Sequence, residues 1–556
     1  MKKQTQNKTA RTAPAKPLAD KRKTEAAPSL LNRLESFLER NEKIIFYATL
    51  LLSLVFSVLL FDVKMSEGND DSMYIEVAHA FAKDFSKNES VNAPFYSILL
   101  SFFIRLFGVN VIMLKSTSII FQLLQLVFLY LALNNRVKKV ILFPILIFTA
   151  INSQMLYFAS ETYTETFYLF LTSLMVFAFF KATSDALKIK WIYWALLGLT
   201  LLLMSLTKNV AIALIGVIVV YHLLNREFKF AALSVAFFAV FRGAYEIFNK
   251  VYWGVNQFAA QGDRIWWKDP YDQAKGNEDF SGLVTRFFGN LDLYISKRLF
   301  QILGFKDADS TVVNSAVVFF IFLLLLNSLF WMWRNKDKVQ WFIFLTNTSL
   351  MFISFIVLAT RWDQLRIVLV FVPFLLLNLF YGFYHLFKNY SLGNLSYLLI
   401  TLLVVFSSLL SSTKKAAGNF PVLKKNFGGD IYYGYTNDWQ NFLKMSAYCA
   451  DSLPANSYVG SRKAPMSFIY GKGKKFYPIY TVTTTDADSV LALFKKEKVT
   501  HVIIASLRRN PKKIDGYLIN TVHRMVGPLA EKYPEKFRLV KQIGESEPAY
   551  LYEIQY

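Results

Sequence analysis

Two adjacent carboxylates, Asp70 and Asp71, follow the first long apolar run and precede a stretch of helical patterning at 75–83. Further along come Glu161 and Glu165, one helical turn apart, then Lys208 between two apolar runs, then Arg361, Asp363 and Arg366 ahead of another. A carboxylate so placed can take up a proton, or it can cap a helix and offset its dipole. A lysine or arginine can hold an anion, or it can snorkel toward lipid headgroups. Arg366 is the hardest to read as a mere anchor, because it begins an apolar run with Pro373 seven residues on. Ionisable groups at a bilayer edge are costly, so their gathering on one side asks for a function.

The elements that must position these groups are membrane helices. Of 556 residues, 54% are hydrophobic and 18% charged, against about 25% charged in soluble chains. That excludes a disordered, collagen-like or ordinary cytosolic protein. One cysteine excludes a disulfide framework, a zinc ribbon and thiol-relay chemistry. The net charge of +23 fits basic cytoplasmic loops and anionic headgroups; no nucleic-acid signature accompanies it, so no nucleic-acid partner is expected. The pattern predicts about eleven spans, at 43–61, 109–133, 139–157, 164–181, 190–206, 209–224, 229–249, 312–333, 339–359, 365–385 and 392–412.

Placing the N-terminus inside makes the short loops 134–139, 181–190, 225–229, 334–338 and 385–389 cytoplasmic, and every one carries Lys or Arg, as the positive-inside rule requires. All the candidate groups then fall on the far side. Residues 1–42 read as a basic cytoplasmic tail without a cleavable signal, and 43–413 as the transmembrane domain, with loops at 62–108 and 250–311. Residues 414–556, where charge returns and short β-rich runs alternate with helical patterns, read as an extracytoplasmic α/β domain.

The residues carry a resemblance. Asp70-Asp71-Ser72-Met73-Tyr74, the segment from Asn92-Ala93-Pro94-Phe95-Tyr96 to Leu106-Phe107-Gly108, Leu206-Thr207-Lys208, and the run from Arg366 to Pro373 resemble motifs of the GT-C glycosyltransferases, in particular the protein-O-mannosyltransferase and aminoarabinose-transferase branch. The likeness covers roughly residues 40–412. It departs at Ile367, where the family has Tyr, at Val370, where it has Pro, and in an Asp-Asp pair where Asp-Glu is commoner.

The resemblance implies an inverting hexosyl- or pentosyltransferase that moves a sugar from a polyprenyl phosphate to a lipid, glycan or protein acceptor. It makes Asp70 the base or positioning carboxylate, with Asp71 raising its proton affinity. Lys208, Arg361 and Arg366 become the cations on the donor phosphate, and Tyr74, Glu161 and Glu165 the contacts to sugar or acceptor. No cofactor is expected, and no metal either, since no second acidic cluster stands out. The setting implied is a bacterial inner membrane with a periplasmic active face.

Three other readings compete. A lipid or sugar transporter would need mid-span charges and internal symmetry. A surface-polysaccharide polymerase or ligase would use the long loop, where Trp253, Trp266, Trp267 and Tyr271 could stack on sugars or anchor at the interface. A membrane scaffold leaves the Asp pair and Arg366 without a reason. The topology is directly testable: a periplasm-dependent reporter fused after Tyr556 should be active, and activity only of a cytoplasm-dependent reporter would invert every assignment.

Overall fold

The computed structural model describes residues 29–88, 90, 93–185, 187–254, 265–269, 275–306, 312–359, 362–482, 484–508, 519 and 521–556. Arg361, Tyr271, Asn92, most of the basic tail and the start of the helical pattern expected from Asp515 lie outside the described residues.

In lipid, a backbone amide has no water to bond, so apolar runs must satisfy themselves as helices. Each of the eleven predicted runs is helical. Seven described helices are long and apolar enough to cross a membrane: Glu42–Leu59, Val111–Leu133, Thr164–Ala182, Phe228–Trp253, Ser315–Asn335, Lys338–Val357 and Leu392–Phe427. The pair Lys139–Ile151 and Ser153–Ala159, bent by 55°, is long and apolar enough when taken together, as a broken span or a re-entrant loop. Asn152 makes that bend: its Oδ1 accepts from Gln154 and Met155 N–H at 3.1 and 3.2 Å, capping the second half, while its amide donates to the Ile302 carbonyl at 2.6 Å.

The other three expected spans are shorter apolar helices: Trp191–Ser205, Asn209–Leu224 and Val372–Phe387. The last is split from Arg366–Leu369 because Pro373 brings no N–H to continue an incoming helix and suits a first turn instead. The final run overshoots its expected end. Ser391–Phe427 is one helix of 37 residues, so the domain boundary placed between 413 and 414 falls inside it.

Beyond that helix lies a five-stranded sheet: β1 (Val459–Ser461), β2 (Phe476–Pro478), β3 (His501–Ala505), β4 (Phe537–Ile543) and β5 (Ala549–Ile554), in the order β2-β1-β3-β5-β4. β1 runs parallel to β2 and β3, with Val459 opposite both Phe476 and His501; β5 is antiparallel to β3 and β4. Alternation along β3 serves two faces. Val502 packs with Val490, Phe494, Val526 and Leu529 of the helices Ala487–Lys496 and Thr521–Lys532. Ile503 joins Trp439, Phe442 and Met466, from Asn437–Ser452 and Ala464–Tyr470, in the core continuous with the membrane helices. Such double coverage explains why β3 reads as an apolar run. Sequence patterning missed β2 and the helix Ala464–Tyr470, each too short to show a period.

This unit sits on the loop after the first span. The helix Ala464–Tyr470 packs on the loop helix Asp70–Lys83, with His79 5.0 Å from the Phe468 ring. The Tyr435 hydroxyl donates to the Met65 carbonyl at 2.6 Å and lies 3.0 Å from the Tyr470 hydroxyl. From the long helix, Asn419 donates to the Phe61 carbonyl at 2.8 Å, and Asn426 accepts from Val63 N–H at 3.2 Å. Tyr435→Phe would leave the buried Met65 carbonyl without this donor, at a cost of about 1–3 kcal/mol. Thermal unfolding should show a lowered midpoint, and an unchanged one would mean that the latch contributes nothing.

Candidate functional site

Between the first loop, the start of the split tenth span and the C-terminal unit lies a cavity of about 1020 Å³. Asp62, Lys64, Glu67, Asp70, Glu161 and Tyr163 line its floor and side; Gln364 and Arg366 face it from the membrane helices; Tyr435, Trp439, Arg462, Lys463 and Arg508 close it from above.

Asp70 opens the loop helix, after Asn69 in the left-handed region at φ 77°, a conformation Asn tolerates better than most residues. The Asn69 side chain makes no capping bond there. Asp70 instead faces the cavity and pairs with Arg366, 296 positions away. Arg366 is oriented by Gln364, whose Oε1 accepts from Nε at 2.7 Å, and its guanidinium lies over the Tyr163 ring, 5.1 Å from the centroid. The segment before it is pinned by Asp363, which accepts from Lys297 at 2.8 Å. Capping alone therefore does not account for Asp70.

Asp71 does something different. One residue on, the helix has turned by about 100°, so its carboxylate points inward and is fully buried. It accepts from Ser66 N–H at 2.6 Å and Ser72 N–H at 2.8 Å. Burial pushes this carboxyl up to about 6, against the pull of those two bonds. The expectation that Asp71 serves beside Asp70 in the site is corrected in its geometry: Asp71 folds the loop, and Asp70 alone of the two reaches the cavity.

The remaining expected residues divide into two groups. Glu165 pairs with Lys208 at 2.9 Å and interacts with Arg366 as well. Tyr74 stands in the same field, near Arg366, Glu165 and Asp70, with its ring edge-on to Tyr96 at 5.4 Å. Neither Lys208, Glu165 nor Tyr74 lines the main cavity. Glu161 does, as part of a second cluster: Lys115 Nζ lies 2.9 Å from Asp62 Oδ1, 3.1 Å from Glu161 Oε2 and 2.7 Å from the Lys64 carbonyl. Burial outweighs that attraction for Glu161, whose carboxyl is pushed well above the usual range. For Asp62 the balance reverses, since Lys115 and Lys64 overcome burial and hold it low. Arg361 lies outside the described residues.

Sequence reasoning missed Asp62, Glu67, Lys115 and Lys463. For Lys115 a signal existed: it is the one charge in the helix Val111–Leu133, and a lysine there needs a partner. Glu67 has its carboxyl pushed up to about 7 by burial, with Asp438 adding to the effect and Lys64 and Lys463 opposing it. Of the long-loop aromatics, Trp253 donates to the Phe85 carbonyl at 2.9 Å, an anchoring contact, and Trp266 is exposed.

Among the described residues no three His, Cys, Asp or Glu side chains converge as a metal site, and Lys115 already occupies the space between Asp62 and Glu161.

No protein-family model matches the sequence, and no curated protein sequence does. Solved structures do match, and at these low identities the likeness is one of fold. The apo oligosaccharyltransferase of Archaeoglobus fulgidus superposes with a TM-score of 0.57 at 11% identity, over 90% of this chain and 80% of that one. ArnT from Cupriavidus metallidurans, bound to undecaprenyl phosphate, gives 0.53 at 12% identity, over 92% and 98%. The Archaeoglobus fulgidus enzyme AglB, with an inhibitory peptide and a dolichol-phosphate, gives 0.54 at 12%, over 92% and 74%.

The raised Asp71 carboxyl has a consequence for stability. The folded protein binds this proton more readily than the unfolded chain, so the contribution is present at low pH and lost as pH rises through about 6. Glu67 acts with the same sign, up to about 7. The thermal midpoint should therefore fall between pH 4 and 7, and Asp71→Asn should flatten part of that fall. An identical slope in the variant would show that Asp71 does not ionise in this window.

Proposed function

We propose that the protein is an inverting glycosyltransferase that moves a sugar from a polyprenyl phosphate to an acceptor hydroxyl or amine at the extracytoplasmic face of a bacterial inner membrane. The observation that carries this reading is the Asp70–Arg366 pair facing a large cavity edged with charged groups. It joins a proton acceptor to a phosphate-binding cation.

The chemistry follows from what each group can do. The acceptor attacks the anomeric carbon as the bond from that carbon to the phosphate oxygen breaks. The electron pair leaves with the polyprenyl phosphate, and the acceptor proton passes to Asp70. Arg366 offers a planar fork of donors to the departing phosphate and offsets the charge developing on it. Without donor that fork is turned to Asp70; a bound phosphate would take it over and leave the carboxylate available to the acceptor. Lys208, held by Glu165, adds positive field nearby. An apolar cavity of about 290 Å³ lies beside it, lined by Ala93, Pro94, Leu206, Val210 and Ala213, and suits the first isoprene units of the lipid. Holding donor and acceptor in one enclosed space supplies the rest.

Incubating the purified protein with a panel of radiolabelled polyprenyl-phosphate sugars should release polyprenyl phosphate from one of them. Asp70→Asn keeps size and most hydrogen bonding but removes the base, so transfer at saturating donor should fall about a hundredfold or more, with donor binding retained. Asn caps helices about as well as Asp, so a purely structural Asp70 would turn over like wild type in this variant, and that result would end the assignment.

A further inference from the structure

The charges around the main cavity are nearly all matched. Asp70 has Arg366, Asp62 and Glu161 share Lys115, and Arg508 pairs with Asp438 and Glu547. Among the described residues lining it, Glu67 and Lys463 form no ion pair, although each feels the other's charge. Only 7% of Lys463 is exposed. Its ammonium spends one donor on the Glu67 carbonyl at 2.6 Å and lies over the Trp439 ring, 5.8 Å from the centroid. The other two donors have no acceptor among the described residues. Arg462, next in the chain, also lines the cavity, its guanidinium over the Tyr480 ring at 5.7 Å.

A buried cation without a counter-ion is costly, and a protein keeps one where something else supplies the anion. We propose that Lys463, with Arg462 beside it, forms an anion subsite in the roof of the cavity that takes a phosphate or carboxylate group of the acceptor. This rests on the transfer reading above and deepens it, since it gives the acceptor an acidic group near the attacking hydroxyl or amine.

Two observations favour the acceptor over the donor lipid as the source of that anion. A polyprenyl phosphate is tied to the bilayer by its chain, so its phosphate belongs at the floor, where Arg366 begins a membrane helix. Lys463 instead comes from the turn between β1 and the helix Ala464–Tyr470, in the unit that packs on top of the first loop. The Lys463 ammonium is also drawn down to about 8, by burial first and by Arg462 second, with Asp70, Asp71 and Glu67 opposing from a distance.

The test uses inorganic phosphate as probe and needs no turnover. A ligand that binds only the folded state raises the unfolding midpoint. With the full-length protein in detergent at constant ionic strength, replacing chloride by phosphate should raise the midpoint of wild type. Lys463→Arg should keep that increment. Lys463→Met should lose it, while showing a higher midpoint in chloride because an unmatched buried charge has gone. Should Lys463→Met not fold, Lys463→Gln serves in the same comparison. An absent increment in wild type, or an unchanged one in Lys463→Met, overturns the proposal. Loss of the increment in Arg366→Ala overturns it as well, since the phosphate would then be reporting the donor position. If the increment behaves as expected but no sugar is transferred, the transfer reading fails and the anion subsite stands.

Discussion

Burying one ammonium at the edge of the membrane organises much of this molecule. Lys115 reaches from its helix to two carboxylates and a carbonyl, which come from two separate stretches of chain. Asp62 and Lys64 begin the first loop, and Glu161 sits in the turn ahead of the helix Thr164–Ala182. Stripped of water, the ammonium could not remain charged without such partners, and the carboxylates could not remain close without it. The result is a fixed floor. From it the loop runs to Asp71, whose two backbone bonds bring Asp70 round to meet Arg366. Two carboxylates share Lys115 but only Asp62 also has Lys64, so they settle differently: Asp62 stays ionised and Glu161 is driven toward its neutral form. An arrangement of this kind fixes geometry more than it adds stability.

The C-terminal unit completes the enclosure in a different way. With the end of the long helix it makes few charged contacts with the loop and relies on hydroxyl and amide groups, Tyr435, Asn419 and Asn426, aimed at backbone carbonyls and N–H groups. Such bonds recognise a backbone shape and are indifferent to the side chains it carries. The loop is thereby held from below by charge and from above by directional hydrogen bonds, and the cavity walls become stiff where Asp70 and Arg366 face each other.

Much of this was legible in the sequence. Apolar runs and basic loops gave the helices, because lipid leaves a backbone no alternative. Asp70 and Arg366 were visible because short motifs surround them, and both line the cavity. Asp71 looked equivalent to Asp70 in the sequence, but helical geometry sends adjacent side chains in different directions. Lys208, expected on the phosphate, stands against Glu165, a pairing across 43 positions that no local pattern reveals. Lys463 was beyond reach altogether. It is one of 62 basic residues, and only the packing of the C-terminal unit onto the loop removes its water. The continuation of the last helix past 413 escaped as well, since two lysines there read as the start of a new domain.

That last helix carries a geometrical obligation. At 37 residues it is about 55 Å long, whereas the hydrocarbon core is about 30 Å thick, so its last turns, Pro421 among them, form a mast beyond the hydrocarbon with the roof past its end. Its length sets both the clearance under the roof and the compass bearing in which the roof faces. Losing a single residue would lower the roof by about 1.5 Å and swing it by about 100°. A change of seven residues, close to two whole turns, would nearly preserve the bearing and alter the headroom by about 10 Å. A chain built on this plan can therefore adjust the mast only in whole turns, and its headroom changes in steps.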